Sequence, residues 1–170
     1  MFVPFNSIAD HSRVWIYQAD RKISSSEKDI IFKELTTFTE QWQVHGQPMR
    51  TSFQIFYDHF IVLAADEGYN AASGCSIDGS VRVLKNLGEQ LHLDFFDRTK
   101  VAFLSENDSD DIMILPLNTL KQKNKEGKWT GNTITFNNLV PTKEELQKQW
   151  LTPASKTWLS RYLSNETTVA

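Results

Sequence analysis

The chain has 170 residues, 40% of them apolar and 12% aromatic, with five Trp and eleven Phe. That is enough apolar surface for a packed core, and it excludes an intrinsically disordered chain. Eighteen basic against twenty-one acidic residues leave a formal charge of -3, and the single cysteine excludes both an internal disulfide and a multi-cysteine zinc site.

The longest apolar run, Phe60 to Ala65, falls far short of the roughly 20 residues a membrane helix needs. The opening MFVPFNSIADHSR carries neither the basic nor the apolar region of a signal peptide. A cytoplasmic, non-membrane protein is expected, folded as a single domain over 1–170.

Residues 13–19, RVWIYQA, are rich in β-branched and aromatic types and predict a strand. Ser24 and Glu27 stand at capping-box spacing, and Ile31, Leu35, Phe38 and Trp42 then recur on one helical face until Gly46 and Pro48. Two extended runs, TSFQIFY and FIVLAA, meet at Asp58 and His59, which predicts a hairpin with a solvated turn. The second run is apolar on both faces, as a central strand is. After the polar loop DEGYNAASG, Ile77, Val81, Leu84, Leu87 and Leu91 mark a second helix, and VAFL (101–104) reads as a fourth strand.

Strand, helix, strand, strand, helix, strand is the order of an α+β fold of the ferredoxin-like, split βαβ type (βαββαβ). The core is expected over about 13–105, with a C-terminal strand and helical extension over about 106–163. In that extension Ile112–Leu115 and Thr133–Phe136 predict strands, and Thr142 with Glu145 opens a last helix. Thr152-Pro153 reads as a cap and first helical position, and Trp158, Leu159 and Tyr162 as residues packing back on the domain.

The segment most suggestive of chemistry is DEGYNAASGCSID, Asp66 to Asp78, between a central strand and a helix start. Helix N-termini carry free N–H groups and a partial positive charge, and small residues let an anion approach them. Asp66, Asn70, Ser73, Gly74, Ser76 and Asp78 are the candidate ligand-binding residues. Cys75 is a candidate nucleophile, because a helix end favours the thiolate, and His45 is its candidate base. The structural alternative is a capping serine, a turn glycine and a small buried cysteine.

No H-x-x-x-H or H-E-x-x-H spacing exists, so no metal and no cofactor is expected. The acidic stretch Glu106, Asp108, Asp110 and Asp111 lacks the Gly and bidentate Glu of a calcium loop and reads as a solvated hairpin loop. Lys121, Lys123, Lys125 and Lys128 read as a solvated face, since the chain is acidic overall and carries no RNA-binding motif.

RVWIYQADRK, QWQVHGQP, NAASGCSID, TFNNLV and the closing W-x-x-R-Y (Trp158, Arg161, Tyr162) together resemble a family of short bacterial proteins often labelled ABC transporter ATPase. The resemblance spans nearly the whole chain and implies no functional residues. The label conflicts with the chain itself: none of its seven glycines stands in G-x-x-x-x-G-K-[ST], and the Gly127-Lys128 pair is followed by Trp129. The expected function is therefore a non-catalytic binding or protein-interaction module, with an unknown small molecule, a protein or a second copy as partner and nucleic acid disfavoured. The alternative is a small-molecule or anion-binding enzyme, or a redox-responsive protein, using the Cys75 loop at a helix N-terminus.

Overall fold

The computed structural model describes residues 1–44, 47–66, 74–108 and 110–164, and the side chains of 43, 44, 47, 48 and 74–77 lie outside that description. The protein is α+β, with two main antiparallel sheets. It divides into two compact units, Met1–Asp97 with Asn138–Lys148, and Arg98–Asn137 with the residues from Gln149 onward.

The first unit is organised by strands β1 (Arg13–Gln18), β4 (Arg50–Phe56) and β5 (Phe60–Asp66), in the order β1-β5-β4. Helix α1 (Ser25–Gln41) follows β1, and a two-stranded ribbon of β2 (Gln43–Val44) and β3 (Gln47–Pro48) precedes β4. Helix α2 (Gly74–Leu91) follows β5. Every residue of β5 from Phe60 to Ala65 is fully buried, as its apolar run predicts. One sheet face, with Tyr17, Phe53, Ile61, Leu63 and Ala65, packs with Ile31 and Leu35 of α1 and Leu84 and Leu87 of α2.

The start of α1 follows its sequence signal closely. Ser24 Oγ accepts from Glu27 N–H at 3.3 Å and Glu27 Oε1 accepts from Ser24 N–H at 2.9 Å, closing the capping box. The same carboxylate takes both terminal nitrogens of Arg21, at 2.9 and 2.8 Å. Arg21 in turn donates to Leu91 O at 2.9 Å, which joins the start of α1 to the end of α2. That end is a left-handed cap: His92 has φ 55° and Leu93 N–H donates to Gly88 O at 3.0 Å. A Cβ on Gly88 would stand 2.5 Å from Leu93 O, so the chain reversal requires glycine there.

The hairpin between β4 and β5 is present, and its turn takes in Tyr57 as well as the expected Asp58 and His59. Tyr57 and Asp58 both have positive φ, 54° and 55°, and His59 N–H closes on Phe56 O at 3.1 Å. Tyr57 therefore belongs to the turn and not to the β4 face. His59 is buried, contrary to the solvated position expected of it. Ala19 N–H donates to His59 O and Ile23 N–H to Asp58 O, each at 2.7 Å, so the β1–α1 connection lies on the turn.

The ferredoxin-like expectation is corrected at its last strand. Residues 101–104 form part of β6 (Lys100–Leu104), which pairs in the second sheet and not with β1. Beside β1 runs the segment 138–144 instead. Arg13 bridges Thr142 in antiparallel sense, Val14 N–H donates to Pro141 O at 2.9 Å and Lys143 N–H to Ser12 O at 2.9 Å. The opposite edge is covered by the chain start, where Phe2 bridges Thr51 and Thr51 N–H donates to Met1 O at 2.9 Å. Order along the chain does not specify which extended segment takes an open edge; side-chain anchoring decides it here.

The anchor is Lys143, the first residue of α4 (Lys143–Gln149). Its ammonium is buried and donates to Ile8 O at 2.7 Å and Asn6 O at 3.2 Å, over the ring of Phe5 at 5.7 Å. Asp10 lies 3.8 Å away. Phe5 meets Phe56 of β4 edge-on at 5.5 Å, so the segment held by Lys143 covers the second sheet face.

The second unit holds β6, β7 (Ile112–Pro116), β8 (Ile134–Phe136) and β9 (Leu151–Pro153) in the order β7-β6-β8-β9. Its core contains Val101, Phe103, Leu120, Trp129, Ala154 and Leu159. Trp129 stacks on Phe103 at 5.2 Å and its Nε1–H donates to Leu120 O at 2.8 Å, which fixes the short helix α3 (Leu120–Lys125). Thr152-Pro153 ends β9 and leads into a 3-10 turn, Ala154–Lys156, in place of the expected helix start.

Both edges of this sheet are blunted. Ser105 N–H to Asp111 O at 2.8 Å and Leu117 N–H to Thr99 O at 2.7 Å are the ladder bonds flanking β7, so its residues 112, 114 and 116 face outward. There Asp111 Oδ1 takes the Ile112 N–H at 3.0 Å, and Pro116 has no N–H and accepts from Thr119 Oγ1 at 2.7 Å. On β9 the bonds Asn137 N–H to Trp150 O and Ala154 N–H to Thr133 O turn residues 151 and 153 outward, and 153 is again proline.

Two outcomes follow from these anchors. The Arg21 guanidinium and the Ser24 N–H hold the Glu27 carboxyl down to about 2 from an ordinary value of 4.5. The stabilisation is fully present above about pH 4.5 and is lost as pH falls toward about 2. The thermal midpoint of Glu27→Gln should therefore lie below wild type at neutral pH, with the gap closing through that window; a constant gap would mean that the ion pair does not stabilise the fold. Lys143→Met retains the stem and strands the buried Ile8 carbonyl and the partly buried Asn6 carbonyl, so urea unfolding should show a loss of about 1–3 kcal/mol. An unchanged midpoint would show that the carbonyls find other donors.

Candidate functional site

The sequence points to the exit of β5. Asp66, the last residue of β5, stands opposite Arg50 of β4 in register, and its Oδ1 lies 2.9 Å from His11 Nε2. His11 is exposed and Asp66 half-buried. The sequence offers no spacing signal for His11: the pair exists because Arg13 registers with Ala65, which brings the residues preceding β1 beside the end of β5.

Gly74, Cys75 and Ser76 form the first turn of α2 in backbone, and Asp78 is exposed further along the same helix. The side chains of Gly74, Cys75 and Ser76, and the whole of His45, Asn70 and Ser73, lie outside the described residues. The Cys75–His45 pair and most of the anion-binding loop are thus not among the described geometry.

Other polar groups do not converge. His59 is held inside its turn, its Nδ1–H donating to Tyr57 O at 2.8 Å. Ser12 Oγ and Ser52 Oγ are buried without a hydrogen-bond partner, but β5 lies between β1, which Ser12 precedes, and β4, which holds Ser52. Among the described residues no group of His, Cys, Asp and Glu is placed to hold a metal ion, and no helix is long and apolar enough to cross a membrane. The acidic loop is engaged: Asp108 Oδ1 accepts from Asp110 N–H at 3.0 Å within the turn, and Glu106 accepts from Thr133 Oγ1, just before β8, at 3.1 Å.

A second surface, on the C-terminal unit, was not singled out from sequence. The 3-10 turn Trp158–Tyr162 is capped by Thr157, whose Oγ1 accepts from Leu159 N–H at 3.1 Å and donates to Ala154 O at 2.7 Å. Leu159 is buried in the unit's core, as expected of it. Trp158 is not: it is 52% exposed, whereas Trp42, Trp129 and Trp150 are buried. Its ring meets Tyr162 edge-on at 6.0 Å, and Arg161 Nε donates to the Trp158 carbonyl at 3.2 Å. Ser164 N–H, just past the turn, donates to Asn124 Oδ1 of α3 at 2.8 Å. The turn is therefore fixed at both ends while its largest side chain faces solvent. Five tryptophans in one sequence carry no mark of which is exposed; the signal available was Trp-x-x-Arg in a short segment after a proline.

The unpaired Ser52 hydroxyl gives a direct test of whether the sheet interior holds a polar site. Ser52→Ala removes a buried oxygen that makes no hydrogen bond, so stability should hold or rise by up to about 1 kcal/mol. A clear loss would mean that the hydroxyl has a bound partner in solution. Comparison of the chain with family models, with curated proteins and with solved structures yields no match.

Proposed function

We propose that this chain is a non-catalytic protein-interaction module of the cytoplasm and that the turn Trp158–Tyr162 is its docking anchor. The observation that carries this reading is the exposed Trp158 on a turn held by Thr157, Leu159 and Asn124. A large aromatic side chain presented rigidly loses little conformational entropy on binding and offers a large contact area. Trp, Arg and Tyr are the residue types that dominate binding hot spots, and this turn supplies all three as Trp158, Arg161 and Tyr162. The blunted strand edges support the same reading from the other side. Sheet extension by a partner strand has few open N–H and C=O groups to use, so docking falls to side chains.

The resemblance to bacterial proteins labelled as transporter ATPases adds no residue to this reading. The test compares Trp158→Ala with Phe32→Ala, a second exposed aromatic on the N-terminal unit. Trp158→Ala should keep the circular dichroism of wild type and weaken binding to a partner purified with the native protein by roughly tenfold or more. Phe32→Ala should leave that affinity unchanged. Equal affinity for wild type and Trp158→Ala would remove the proposal.

A further inference from the structure

Resting on the reading of Trp158 as anchor, we infer that the segment it receives is an acidic stretch of protein with an apolar residue at its centre. The chain is acidic as a whole, yet residues 120–130 and 154–163 carry Lys121, Lys123, Lys125, Lys128, Lys156 and Arg161 against the single acid Glu126. Glu126 is engaged with Lys123 at 3.5 Å. Lys156 and Arg161 are exposed, and among the described residues neither has a carboxylate partner. In a 3-10 turn, side chains three apart project on the same side, so Arg161 stands with Trp158. One nitrogen of Arg161 is used on the Trp158 carbonyl, which orients the guanidinium and leaves its terminal nitrogens for a bidentate carboxylate. The Ser164–Asn124 bond ties this turn to α3, where Lys121 and Lys125 share a helix face.

The alternative polyanion, single-stranded nucleic acid, fits less well. Its binding surfaces present successive aromatic faces along a cationic groove. Here Tyr162 stands at 81° to Trp158, so the two rings do not offer a run of parallel faces. A net charge of -3 also opposes a long polyanion, whereas a short acidic segment senses charges within about one Debye length, roughly 8–10 Å.

The experiment is selection of a random-peptide library on the full chain, followed by binding of the enriched peptides to wild type, Trp158→Ala and Lys156→Glu/Arg161→Glu, with an oligothymidylate measured in parallel. The variants change exposed side chains, and circular dichroism checks that they fold. The expected result is enrichment of net-acidic peptides around an apolar residue, weakened roughly tenfold or more by either variant and by added salt. Enriched peptides that need Trp158 but are neutral or basic, or that bind the charge-reversed variant as well as wild type, would overturn the acidic partner and leave the anchor standing. Peptides indifferent to Trp158→Ala, or no enrichment at all, would overturn both. Oligothymidylate held through Trp158 in preference to acidic peptides would make the partner a nucleic acid and overturn the inference.

Discussion

Burial of β5 on both faces is the constraint from which the N-terminal unit follows. A strand without an exposed face needs a hydrogen-bonded neighbour on each side and a cover above and below. Strands β1 and β4 supply the neighbours, and α1 and α2 cover one face. The other face is met by Phe5, and the outer edges are left to the chain start and residues 138–144, which pair as short stretches and not as full strands. Lys143 is their anchor: an ammonium placed among the carbonyls of Asn6 and Ile8 fixes two distant pieces of chain at once. A buried cation without a full carboxylate partner is expensive, and it persists where its donors satisfy groups that nothing else reaches.

The same economy of edges shapes the second unit. Proline and side-chain caps close what an added strand would otherwise use, on β7 through Asp111, Pro116 and Thr119 and on β9 through Pro153. With its edges closed, the sheet has few open backbone groups, and what its turns present is side chains. Trp158 stands where this matters, on a turn whose neighbouring Leu159 is rooted in the core. The alternation of one buried and one exposed large residue within five positions makes the turn both rigid and available.

The local elements were legible in the sequence because their signals are local. Ser24 and Glu27 meet within one helical turn, so the start of α1 and its capping geometry are determined by four residues. The central position of β5 was legible from its composition, and the β4–β5 hairpin from the polar pair between two apolar runs. The partners of β6 were not: a short apolar strand fits any open edge, and while β7 joins it as a nearby hairpin, its other edge is taken by β8, through Phe103 and Thr135, and not by β1. His59 illustrates a second limit. A polar residue in a turn is ordinarily solvated, and it is buried here because the β1–α1 connection crosses the turn. The sequence-derived site is legible only in part: Asp66 acquires His11, a residue with no motif around it, while Cys75 and His45 stand outside the described side chains.

By itself, then, the sequence determined the α+β class, the two long helices with the capping box that starts the first of them, the two-faced apolar strand, and the absence of a phosphate-binding glycine motif. Each of these depends on residues a few positions apart. Tertiary structure alone decided that residues 138–144 and not 101–104 lie beside β1, that Trp129 is sealed while Trp158 faces solvent, and that His11 meets Asp66. These are choices between chemically similar segments and identical side chains. They are settled by which arrangement satisfies the buried donors and acceptors of distant parts of the chain, a quantity that no window of sequence contains.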